Sequence, residues 1–177
     1  PGFVEGEGQY CAALRKTSEA EYKDMPSRKQ RPGKGTKETP MLKGLERLLN
    51  RDASFRMKGE TVTAVPAALA AAVASIEQTL HIIAAGCAIG TVKGSLLIPD
   101  ADLALSLMLN EEAFPSVEVD RMTALSYLHR DAIVLKDAPK GFVLIMHDGL
   151  PLGFVKNLGN RCNNLHPQGR RIRMDIR

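Results

Sequence analysis

From Pro40 onward the apolar positions change period several times. In "PMLKGLERLLN", Leu42, Leu45, Leu48 and Leu49 recur at three- and four-residue spacing with Lys43, Glu46 and Arg47 opposite, which predicts an amphipathic helix. "SFRMKGETVTAV" reads as a short hairpin about Gly59, and Pro66 leads an Ala-rich helix through about Gln78. "LHIIAAGCAIGTVKGSLLIP" predicts strands broken at Gly86, Gly90 and Gly94, with His81 inside an apolar strand. Pro99 ends that run, and Asp100 or Asp102 is placed to cap a helix carrying Leu103, Leu105, Leu107, Met108 and Leu109.

Pro115 marks a second break. Asp120 is a cap for a helix through "RMTALSYLHR". Strands are expected at "AIVL", "GFVLIMHD" and "PLGFVKNL", the last two joined at Asp148-Gly149, where both turn residues tolerate positive φ. After the turn at Pro167-Gln168-Gly169 a final strand, "RRIRMDI", is expected. One helix leading into a short, curled sheet predicts a small barrel-like module, and the whole is α+β.

The first forty residues behave differently. Tyr10 to Leu14 is a strand-like run closed by Arg15 and Lys16. Gly6 and Gly8 invite a dinucleotide loop, but no third glycine follows and the next residues read as strand, not as the helix that would hold a pyrophosphate. From Thr17 to Thr39 nearly every residue is polar, charged, Gly or Pro, and "SRKQRPGKGTK" holds five cations without an acid. Such a stretch buries too little apolar surface to offset its ordering entropy, so it reads as a linker, either a solvated tether or a strip grazing a phosphate backbone.

Composition narrows the chemistry. The 177 residues, 44% of them hydrophobic, suffice for one ordinary domain or two small ones. A net charge of +4 with pI near 9.1 is moderately basic, so the distribution of charge matters more than its sum. Cys11, Cys87 and Cys162 are odd in number and far apart, which predicts free thiols in a reducing compartment. The least polar stretch, between Glu60 and Glu77, contains Pro66 and is too short to span a bilayer. The expectation is a soluble, cytoplasmic, monomeric protein without a membrane partner. Its first residue is Pro rather than Met, which reads as a fragment of something longer.

Catalytic groups are hard to assemble. Cys11 and Cys87 lie in apolar runs and read as small buried hydrophobes. Cys162, with Arg161 before it and His166 four residues on, offers either a reactive thiol or half a zinc site whose other ligands lack candidates. His129 is expected at the surface, His147 as a group fixing the hairpin turn, and Glu111-Glu112 in a solvated loop. No catalytic residue and no metal ligand is assigned.

The strip from Asp148 to Arg171 stands apart. Lys156, Arg161, Arg170 and Arg171, with Arg173 just beyond, alternate there with Asn157, Asn160, Asn163 and Asn164 among glycines. Either it is the cationic outer face of a twisted sheet, or it binds nucleic acid: cations attract phosphate, amides bond phosphate and base edges, and glycines let the backbone approach. With few aromatics between them, shape and backbone recognition of structured RNA fits better than stacking of splayed bases.

"GFVLIMHDGLPLGFVKNLGNRCNNLHPQGRR" resembles the C-terminal signature of the bacterial branch of the Nop/Sun family, S-adenosylmethionine-dependent RNA cytosine-5 methyltransferases acting mainly on small-subunit ribosomal RNA. The matching positions are Asp148-Gly149, Pro151-Leu152-Gly153, Phe154, Lys156, Gly159, Asn164, Pro167 and Gly169. "YLHRD" from Tyr127 agrees with the family's approach to that signature in its first two positions. Gly86, Gly90, Lys93, Pro99, Leu103 and Ala104 hold the places of an element in the preceding domain, and "GEGQYCAALRK" is similar to the last strand of the catalytic domain. Asn163 stands where Lys is usual, His166 for Tyr, Gln168 for Lys, and Asp100-Ala101-Asp102 replaces a Ser-His, so the strip is less basic than in relatives.

The resemblance implies a last catalytic-domain strand at 1–16, a basic linker at 17–40, an α+β domain at 41–113 and a PUA-like RNA-binding β-barrel domain at 117–177. It implies RNA contacts at Lys93, Lys156, Arg161, Asn163, Asn164, Arg170 and Arg171, with Gly149, Gly153, Gly159 and Gly169 shaping the backbone. The partners implied are small-subunit rRNA and the protein's own catalytic domain in cis. The family's catalytic cysteines and methyl-donor glycines have no match here, so S-adenosylmethionine belongs to the parent enzyme, and this chain alone is expected to bind no cofactor and methylate nothing. Two rivals stay open: a module that docks protein and braces the catalytic domain, and a free-standing enzyme using Cys162 and His166.

Overall fold

The computed structural model describes residues 44–175; the expected strand at 1–16 and the linker at 17–40 lie outside them. Two four-stranded sheets carry the fold, which is α+β as expected. In the first sheet β1 (Ala53–Lys58), β2 (Thr61–Pro66), β3 (Cys87–Lys93) and β4 (Leu96–Pro99) run antiparallel in sequence order. Helix α1 (Ala67–Glu77) leaves β2 at Pro66 and buries none of its residues, and Arg56 of β1 pairs with Glu77 at its end. α2 (Ala101–Ala104) follows β4, with the Asp100 carboxylate accepting from the Asp102 amide at 2.9 Å.

In the second sheet β5 (Ser116–Glu118) lies parallel to β6 (Gly141–His147), because α3 (Arg121–His129) crosses between them. β7 (Leu150–Asn157) and β8 (Cys162–Asn164) add antiparallel. One face of this sheet, through Leu144, Met146 and Phe154, joins Val62, Ala64, Cys87 and Ile89 of the first sheet and Leu103 of α2 in one core cluster. The opposite face, through Val143, Ile145, Val155 and Cys162, packs on Ala124 and Tyr127 of α3. The second sheet is thus covered on both sides.

Several sequence expectations change. The helix predicted from Pro40 is, among the described residues, a single 3₁₀ turn, Glu46–Leu48. Gly44 at φ +87° lies outside helical space, and Leu49 turns into an extended bridge with Leu109. The helix expected after Asp100 stops at Ala104, and Ser106 Oγ accepts from the Met108 amide in the turn that follows. β3 runs through Gly90 without a break, while the residues before Cys87 form no strand, so His81 is exposed in a loop. Gly90 is glycine because a Cβ would sit 2.3 Å from the Ile98 carbonyl oxygen of β4. "AIVL" is no strand, although Ile133 and Leu135 are buried, and "RRIRMDI" gives a 3₁₀ turn, Gln168–Arg170, followed by irregular chain through Asp175. No described helix is long and apolar enough to cross a membrane.

Candidate nucleic-acid interface

α3 anchors the second half of the chain. The Asp120 carboxylate accepts from the Thr123 amide at 2.7 Å, and this bond holds its carboxyl below the usual carboxylate range. At the other end Arg130 adopts φ +71°, and its guanidinium donates to the His166 carbonyl. Between them Tyr127 is fully buried and its hydroxyl donates to the Phe154 carbonyl at 3.3 Å. Burial pushes this phenol well above its ordinary pKa.

Tyr127 meets β7 at Gly153. A Cβ there would lie 2.1 Å from the Tyr127 hydroxyl, and φ is +150°. The same residue forms a bulge: the β6–β7 register shifts between Ile145 and Met146, so that Ile145 faces Gly153. The turn itself has positive φ at Asp148 (50°) and Gly149 (72°), the mirror-image geometry that suits a right-twisted hairpin. His147 Nδ1 bonds the Val119 carbonyl at 2.9 Å, tying the turn to the chain after β5.

Beyond the bulge, side chains sort by register. Phe142, Lys156 and Asn163 are cross-strand neighbours on one face, and the Lys156 ammonium stands 5.7 Å from the Phe142 ring centroid. Val143, Val155 and Asn164 share the face toward α3. Asn164 is committed there: its amide donates to the Tyr127 carbonyl and its oxygen accepts from the His166 amide, both at 2.8 Å. Asn157 is buried as well, donating to the Ala138 carbonyl at 2.9 Å and accepting from the Gly159 amide at 2.9 Å. These two asparagines satisfy backbone groups in loops, where a ladder cannot.

The exposed residues are the turn 158–161 with Arg161 at its end, then Asn163, Arg170 and Arg171. Arg170 pairs with Asp102 of α2 at 2.7 Å, and its carbonyl meets His166 Nε2 at 3.1 Å. Lys93 is exposed at the far end of β3, where its cross-strand partner is Leu96. Sequence reasoning missed Phe142 and Arg47. The two border a cleft of about 360 Å³, walled also by Leu45, Val92, Leu96 and Phe114.

The reactive alternatives lose their footing. Cys87 and Cys162 are buried, and burial raises both thiols above their ordinary pKa. Cys162 Sγ lies 3.6 Å from Asn157 Oδ1, and His166 is buried against Tyr127 with Nδ1 unpartnered. Among the described residues the cluster of metal-ligand type is Glu118, His147 and Asp148, which includes neither Cys162 nor His166.

Residues 114–172, from the approach to β5 through β8 and the C-terminal turn, match the family described as the methyltransferase RsmF PUA domain. No curated protein matches the chain.

Proposed function

We propose that this chain is the RNA-positioning C-terminal region of an S-adenosylmethionine-dependent rRNA cytosine-5 methyltransferase. It would hold small-subunit rRNA for a catalytic domain in cis. The observation that carries this reading is the match of residues 114–172 to the methyltransferase RsmF PUA domain, in a stretch where Arg161, Arg170 and Arg171 are exposed. In this reading 41–113 is the domain before the PUA-like one, and 117–177 is the PUA-like domain itself.

Lys156, Arg161, Arg170 and Arg171 supply phosphate contacts, and Lys93 extends the charge to the first sheet. Exposed Asn163 is free to bond a base edge or a phosphate, whereas Asn164 acts by fixing the turn that presents the arginines. The methyl donor is not assigned to the described glycines. Gly86 and Gly90 are accounted for by close backbone packing: a Cβ would sit 2.2 Å from the Ala64 oxygen at the first and 2.3 Å from the Ile98 oxygen at the second. Methyl transfer belongs to the catalytic domain, and this chain contributes placement.

The test is binding of the chain to a labelled small-subunit rRNA fragment across a salt series, with an Arg161→Ala, Arg170→Ala, Arg171→Ala variant alongside. Each phosphate contact contributes roughly 0.7–0.9 to the log–log salt slope, so the variant should shallow it by about 2. A variant that binds as the parent does, or a parent that does not bind, overturns the proposal.

A further inference from the structure

The cleft of about 360 Å³ opens between the β3–β4 hairpin of the first sheet and the start of β6 in the second. Its walls are almost wholly apolar: Leu45, Leu48, Val92, Leu96 and Leu97 on one side, Phe114 and Phe142 on the other. Of the described side chains that line it, Arg47 and Ser95 alone are polar. Phe114 is braced from behind by Phe154, ring centroids 4.7 Å apart, so that wall is fixed by the core. Leu96, 42% exposed, stands at the mouth.

The rim is cationic. Lys156 lies over Phe142, Lys93 is the cross-strand partner of Leu96, and Arg47 lines the cleft itself. Among the described residues no acid lines it: the nearby Glu46 carboxylate accepts from the Gly44 amide at 3.0 Å, and Glu111 and Glu112 are exposed beside Ala113. An apolar cleft walled partly by aromatic rings, with few hydrogen-bonding groups, favours a ring system, and three cations at its edge favour one that carries flanking negative charge. The volume falls at the small end of ligand sites, roughly 300–1,000 Å³, which suits one base and excludes a duplex.

We propose that this cleft receives a single unpaired RNA base, with Lys93, Arg47 and Lys156 holding the phosphates on either side. The inference rests on the RNA reading above and adds to it a site for a splayed nucleotide, placed in the cleft rather than in the cationic strip, where aromatics are scarce. Stacking on aromatic and apolar side chains is tolerant of base identity, so the site reads the absence of pairing rather than sequence.

Three RNA hairpins of equal length separate this idea from its premise: one fully paired, one with a single bulged adenosine, one with an abasic residue at the bulge. Binding of the whole chain is measured for each at several salt concentrations. The bulged adenosine should bind about 5- to 160-fold more tightly than the other two, the range expected for one stacked base, with a salt slope at least as steep as theirs. Leu96→Glu, a change at an exposed hairpin end, should abolish that advantage while duplex binding persists, and Leu96→Gln should retain most of it. Equal, salt-dependent affinity for the bulged and abasic hairpins overturns the cleft proposal and leaves RNA binding standing. No binding of any hairpin overturns both. The abasic comparison uses the unaltered protein, so it decides the matter even where a variant fails to fold.

Discussion

Replacing Gly153 with Ala tests the contact that holds β7 on α3. The new methyl would lie 2.1 Å from the Tyr127 hydroxyl oxygen, 3.1 Å from Cζ and 3.4 Å from Cε1. Tyr127 has no exposed surface, so its ring cannot swing into solvent to relieve the clash. Overfilling a packed core costs about 1–3 kcal/mol. Holding a residue with a side chain at φ +150° costs a further 1–3 kcal/mol, roughly. Together they give a loss of about 2–6 kcal/mol, which urea unfolding followed by circular dichroism would read as a large fall in midpoint. Tyr127→Phe alone loses the hydrogen bond to the Phe154 carbonyl, about 1 kcal/mol. It also removes the atom that the methyl strikes and leaves Cζ at a distance that a small shift relieves. The double variant should therefore be more stable than the sum of the two losses predicts, by about 1–2 kcal/mol. A Gly153→Ala protein within 0.5 kcal/mol (roughly) of the parent, or strictly additive losses, would refute the reasoning.

The same tyrosine gives a pH dependence. Its folded pKa lies above the unfolded value of about 10, so its contribution is complete below pH 10 and is lost as pH rises further; Tyr127→Phe should flatten that alkaline loss in a stability titration. Cys87 and Cys162 should react with a thiol reagent at pH 8 far more slowly in native than in denaturing buffer, and equal rates would contradict their burial. Asp102→Asn frees Arg170 from its partner at 2.7 Å, so stability should change by less than about 1 kcal/mol while RNA affinity rises. Weaker binding would mean that the pair itself shapes the surface.

Legibility from sequence followed local chemistry. The hairpin at Asp148-Gly149, the Asp120 cap and the helix after Pro66 were readable because each depends on residues adjacent in the chain. Apolar alternation was less informative. In "AIVL" the apolar run marks Ile133 and Leu135 as buried, but these residues pair with no described strand. β5, three residues long and parallel to its neighbour, offers too short a pattern to be seen. The cleft was hidden by the bulge. Counting back from the turn without it pairs Phe142 with Val155, whereas the extra residue places Lys156 opposite Phe142 and turns Val155 toward α3. A one-residue slip exchanges the two faces of a strand, and the sequence, which names Gly153 only as a residue shaping the backbone, does not show that the slip happens there.

The core shared by the two sheets bears on how such chains are cut and recombined. Family similarity begins at residue 114, yet Leu144, Met146 and Phe154 lie inside a cluster built mainly by residues before it. Severed at that boundary, the C-terminal piece would carry an apolar face open to water, with Phe154 on it. Family similarity and cooperative folding therefore have different extents here: the matched stretch, 114–172, is shorter than the unit whose interior it shares.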